Sequence, residues 1–109
     1  MNKPNTVLVE MGKRITERRK LQGLSQEELA EKADLTPQFV SYAESGKRAM
    51  RPENLLKLSK ALNVSADYLL TGEIIDKDLL ILSDKIKQLA PSQIRIIENI
   101  VDQCNDLFN

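Results

Sequence analysis

Three observations agree in predicting an all-α fold. From residue 23 onward the glycines and prolines mark the chain as Gly23, Pro37, Gly46, Pro52, Gly72 and Pro91. A left-handed glycine ends a helix without steric cost, and a proline in a first helical turn gives up no needed N–H. Between these marks the apolar residues recur at spacings of three and four, the period of a helix buried along one side. No useful run alternates with period two, and aromatic residues make up 4% of the chain, with no Trp. Strands have little to build on.

Each element follows in chain order. The first helix is expected over 6–22, ending at Gly23, with residues 1–5 a mobile tail before it. The second begins after Ser25, with Glu28 three residues on at the capping-box position. It ends near Ala33 and carries Leu29, Ala30 and Ala33 on one face. The third follows the N-cap Thr36, takes Pro37 in its first turn, and turns Val40 and Ala43 inward before ending near Ser45. Pro52–Leu62 forms the fourth, burying Leu55, Leu58 and Leu62. A short fifth helix runs from N-cap Ser65 through Leu70, and two longer ones are expected over 76–89 and 91–107.

Composition bounds the function. The 109 residues suit one small domain with an attached helical segment. The longest uninterrupted apolar run is Leu79 to Leu82, too short to span a bilayer. No apolar stretch follows a basic start, so a cytoplasmic protein with no membrane partner is expected. One Cys excludes an internal disulfide, and the lack of His removes both the usual zinc sites and imidazole chemistry. No catalytic group, metal or cofactor is therefore expected, and the chain is read as a non-enzyme. Net charge is zero, yet residues 1–72 hold 12 basic and 9 acidic side chains while residues 73–109 hold 4 and 7. A positive part joined to a negative one suggests two jobs, one of them on an anionic partner.

Only Asp34, Leu35 and Thr36 separate the second helix from the third. A turn this short forces a steep crossing, the helix-turn-helix arrangement. The outward positions of the third helix, Gln38, Ser41, Tyr42 and Ser45, carry the amide and hydroxyl groups that read base edges in a major groove. Three segments then carry a resemblance: Gly-Leu-Ser-Gln-Glu-Glu-Leu-Ala at 23–30, Glu-Ser-Gly-Lys at 44–47, and Ala-Leu-Asn-Val-Ser-Ala-Asp-Tyr-Leu-Leu-Thr-Gly at 61–72. Together they resemble the XRE helix-turn-helix regulators, the Cro and lambdoid phage repressor family, over about 12–72. The resemblance implies a five-helix lambda-repressor-like DNA-binding domain over 1–72, followed by a two-helix segment over 73–109.

It also implies site residues. Gln26 matches the family glutamine that grips a phosphate and braces the recognition helix. Thr36, Pro37, Gln38, Phe39, Ser41 and Tyr42 match the exposed recognition segment. Gln38 is the best base reader, because a glutamine amide pairs with adenine at two atoms. Pro37 stands where many relatives carry a polar reader. Phe39 either touches a thymine methyl or packs at the domain edge, and Tyr42 stacks, bonds a phosphate or reads a base. Lys47, Arg48 and Arg51 fall in the loop where relatives clamp the DNA backbone. Asp34 replaces a turn glycine and tolerates the left-handed region better than most residues. Arg19 and Glu44 match a semi-buried structural ion pair. On the first helix, Glu10 with Arg14 and Lys13 with Glu17 have the spacing of ion pairs on a solvated face.

Residues 73–109 hold two apolar seams. Ile75, Leu79, Leu82, Ile86 and Leu89 form one; Ile94, Ile97, Val101, Cys104 and Phe108 form the other, with Cys104 read as a small buried hydrophobe. Further apolar residues widen both, so a partner is expected, most simply a second copy. The resulting expectation is a homodimeric regulator of transcription, a repressor that binds a palindromic operator in double-stranded DNA. The alternative is an antitoxin-like module whose main partner is another protein, an antagonist or a toxin.

Overall fold

The computed structural model describes residues 6–108, and among them the chain forms seven helices and no strand. They are α1 (Thr6–Leu21), α2 (Gln26–Ala33), α3 (Pro37–Ser45), α4 (Pro52–Leu62), α5 (Ala66–Thr71), α6 (Asp76–Lys87) and α7 (Pro91–Phe108). The tail expected over residues 1–5 lies outside the described residues. Among the described residues no helix is long and apolar enough to cross a membrane. The chain divides between Asp78 and Leu79 into two compact units.

In the first unit the caps do what their residue types allow. The hydroxyls of Ser25, Thr36 and Ser65 each accept the backbone N–H three residues on, and Glu28 returns a bond to the Ser25 N–H. These contacts satisfy donors that a helix start would otherwise leave unpaired. Asp34 ends α2 in the left-handed region at φ 56°, so the turn keeps its shape without the glycine. The core gathers Met11 and Ile15 of α1, Leu29 and Ala33 of α2, Val40 and Ala43 of α3, and Leu55, Leu58 and Leu62 of α4. Leu69 of α5 closes it.

α1 packs on both α3 and α5, while α2 packs on α3 and α4. The α1–α3 approach is close because Gly12 lies beneath the end of α3. A Cβ there would stand 2.7 Å from the Ala43 carbonyl oxygen. Side chains tie the remaining ends. Gln22 Nε2 donates to the Leu62 carbonyl at 2.7 Å, and Arg14 Nη1 donates to the Leu69 carbonyl at 3.0 Å. The spacing of α1 predicts different ion pairs. Arg14 instead reaches an open carbonyl at the end of α5, and Lys13 pairs with Glu10 one turn back at 3.3 Å. A carbonyl left unpaired by its helix is the better partner for a half-buried guanidinium than an exposed glutamate.

Asp78 joins the end of this unit together. It stands at the third position of α6 and accepts from the Ile75 N–H at 3.0 Å, as a capping carboxylate does. The same carboxylate accepts from the Ser65 N–H and the Ser65 hydroxyl, each at 2.8 Å. One side chain thus serves the starts of α5 and α6. Burial alone would raise its pKa, but these three bonds and the nearby Lys77 charge outweigh that and lower it.

The second unit is different in kind: none of its described residues is buried. α6 and α7 do not lie closely along one another. α6 stops at Lys87 rather than residue 89, because Gln88 and Leu89 bond three residues back in a tightened last turn before Pro91. Cys104 is exposed, which corrects the expectation of a buried residue. The seam it belongs to exists, with Val101 and Phe108 also exposed, but a seam is buried only where something covers it.

Candidate nucleic-acid interface

The interface is built on α3. Val40 and Ala43 are sunk in the core, which fixes which side of this nine-residue helix faces out. Gln38, Ser41 and Ser45 are exposed on that side, with Tyr42 half-buried among them. Thr36 places its hydroxyl on the Phe39 N–H at 3.1 Å, so it caps the helix, and Pro37 occupies the first turn with no N–H to satisfy. Phe39 packs against the core, the domain-edge alternative of the two that its position in the sequence allows.

Gly46 ends α3 at φ 70°, and the chain leaves through Lys47, Arg48 and Arg51, all exposed. The loop folds back toward the helix. The Arg48 guanidinium lies over the Tyr42 ring, 4.6 Å from its centroid, a cation–π contact. The Gln38 Nε2 donates to the Tyr42 hydroxyl at 3.4 Å. Phe39, Tyr42, Arg48, Met50, Arg51 and Asn54 line a shallow groove between α3 and the loop.

The electrostatics of this face depend on one inward turn. Glu44 is the only acidic residue between Leu35 and Arg51, and its side chain is 7% exposed. Arg19 Nε donates to its Oε2 at 2.6 Å, and Arg19 Nη2 to its Oε1 at 3.1 Å. Thr16 and Gln26 donate to the same Oε1 at 3.0 and 3.2 Å. Arg19 Nη1 also donates to the Leu24 carbonyl at 2.8 Å, which ties the guanidinium to the turn between α1 and α2. Burial alone would push the Glu44 pKa up. The bonds from Arg19, Gln26 and Thr16 and the Arg19 charge outweigh it and hold the carboxyl below its usual range. Conversely, the bond to Glu44 raises Arg19.

The predicted site residues therefore fall into two groups, with Gln26 apart from both. Gln38, Ser41, Tyr42, Lys47, Arg48 and Arg51 share one outer surface, whereas Thr36, Pro37 and Phe39 shape the start of α3. Gln26 joins the Glu44 cluster and so braces α3 from α2. Thr16 belongs to that cluster too, and the sequence reading passes over it. A signal was available: Thr16 is four residues after Gly12 and three before Arg19, on the side of α1 that faces α3.

The helix-turn-helix family model matches residues 15–69. The HTH-type transcriptional regulator ImmR of Bacillus subtilis is 40% identical over 67 residues, covering 62% of this chain and 53% of ImmR. The chain spans about half the length of the curated relatives it matches. Among solved structures, the P22 c2 repressor bound to a synthetic operator is 41% identical, with a TM-score of 0.56. That match covers 58% of this chain and 96% of the repressor chain. The SinR protein in complex with the SinI protein is 26% identical with a TM-score of 0.56, covering 88% of this chain and 98% of that one.

Proposed function

This chain belongs to the helix-turn-helix family of transcriptional regulators, and on that premise we propose that it is a repressor that binds a palindromic operator in double-stranded DNA as a homodimer. One observation carries the reading. The exposed side of α3 presents amide and hydroxyl groups flanked by Lys47, Arg48 and Arg51, and the only carboxylate of that stretch is turned inward onto Arg19. A surface with those donors and acceptors and no negative charge suits the edge of a base pair between two phosphate backbones.

In this reading Gln38 reads a base, with Ser41 and Tyr42 beside it. Lys47, Arg48, Arg51 and Gln26 hold the backbone, and Thr36, Pro37 and Phe39 set where α3 begins. The P22 c2 repressor with its operator supports the DNA partner, since nearly all of that chain aligns with this one. The dimer is supported by the second unit. Leu79, Leu80, Leu82, Ile96, Ile100 and Val101 are each about half or more exposed, and unburied apolar surface of this kind calls for a partner. A two-fold pair would set two copies of α3 about 34 Å apart, on successive turns of one DNA face.

Selection of bound sequences from a random duplex pool, at stated salt, tests the reading. The expected result is an inverted repeat whose half-sites lie about 10 base pairs apart, centre to centre. A pool that emerges without base preference at any position overturns it.

A further inference from the structure

We propose that Tyr42 is a positioning residue that clamps the Gln38 amide in the orientation that selects adenine over guanine. The proposal rests on the reading of α3 as the base-reading helix. Gln38 and Tyr42 are four residues apart on its outer face, and the amide nitrogen donates to the tyrosine hydroxyl. A glutamine amide has two N–H donors and one carbonyl oxygen, all in one plane. If the N–H trans to Oε1 is the one directed at Tyr42, as the clamp requires, the N–H cis to Oε1 stays free and lies beside that oxygen. That pair matches adenine, whose major-groove edge offers the N7 acceptor beside the N6 donor.

Guanine presents two acceptors there, N7 and O6. An untethered glutamine can turn to offer both N–H groups to them. The tethered one cannot, because one N–H is engaged and Oε1 would face O6. The clamp also removes rotamer freedom that an exposed glutamine would otherwise lose on binding. Its anchor is held in turn. Tyr42 is half-buried on the helix, and the Arg48 guanidinium rests on its ring at 4.6 Å. Arg48 thus has a second task besides the phosphate backbone: it supports the ring that orients the reader.

The test uses the full chain, the operator selected from the pool, and the same operator with guanine placed at each adenine in turn. Q38A identifies the base pair in question by flattening the adenine preference there about 5- to 150-fold. Y42F, which keeps the ring and removes only the hydroxyl, is expected to reduce the preference at that same pair about 3- to 10-fold. The loss at that pair exceeds the loss at the other positions, and Q38A/Y42F is no worse there than Q38A alone, since both act through one amide. R48A is expected to lose preference at the same pair, on top of a uniform weakening. A Y42F loss spread evenly over all positions, or one that adds to that of Q38A, overturns the clamp while leaving α3 as the reader. A Q38A variant with no position-specific loss overturns the underlying assignment instead.

Discussion

At Glu44 a carboxylate falls in the last turn of the helix proposed to face DNA, where a negative charge would repel phosphate. The fold resolves the conflict by turning it onto Arg19, with Thr16 and Gln26 completing its hydrogen bonds. Removing one partner of such a pair leaves the other charge poorly compensated, so E44Q is expected to cost about 3 kcal/mol, read by thermal melting. Its pH dependence has a fixed sign. Glu44 has a depressed pKa in the folded protein, so its stabilisation is present above the ordinary value of 4.5 and is lost as pH falls through the folded value. Melting temperatures of the parent should fall steeply in that acid range, and those of E44Q less steeply. On the outer side of the same helix, Q38A is expected to cost about 1–3 kcal/mol on the operator and to act at one base pair per half-site. K47A or R51A should weaken all sequences alike and lower the salt slope by about one.

The elements are held in place by contacts between their ends. Gly12 is the clearest case, since a methyl group there would meet the carbonyl oxygen of Ala43. G12A is expected to cost about 2–3 kcal/mol and to reduce operator binding with it, because the clash displaces α3 from α1. A G12A protein that melts like the parent would show that the two helices can part without cost. Asp78 works at the same scale through the starts of α5 and α6. D78A removes an acceptor shared by Ser65 and Ile75, and about 2 kcal/mol of stability should go with it, measured by denaturant unfolding. Much of this scale is legible in the sequence. Ser25, Thr36 and Ser65 mark helix starts by their hydroxyls, and Gly46 and Gly72 mark ends by their freedom at positive φ.

For the whole molecule, the division after Asp78 gives the decisive experiment. A fragment ending at Asp78 retains every residue that is buried among those described, and the shared cap, and is expected to fold. One ending at Gly72 lacks the Asp78 carboxylate and should melt lower. Neither fragment carries α7, so each should sediment as a monomer and bind the operator far more weakly than the full chain. The full chain is expected to be a dimer in analytical ultracentrifugation at micromolar concentration. A monomeric full chain would assign the exposed apolar residues of α6 and α7 to a different protein.

What the sequence determined by itself is local. Helix type, starts and stops follow from period and caps over a few residues, and the inward pair Val40 and Ala43 follows from spacing within one turn. The resemblance added the Arg19–Glu44 pair. Tertiary structure decided the rest, because the contacts join residues far apart in the chain. Arg14 finds the Leu69 carbonyl 55 positions away, and Gln22 finds Leu62 at 40. No periodicity encodes such meetings; they arise when packed helices bring unpaired carbonyls within reach of long side chains. Cys104 shows the converse. Its place on an apolar seam is written in the sequence, but burial depends on what lies opposite, and among the described residues it stays exposed.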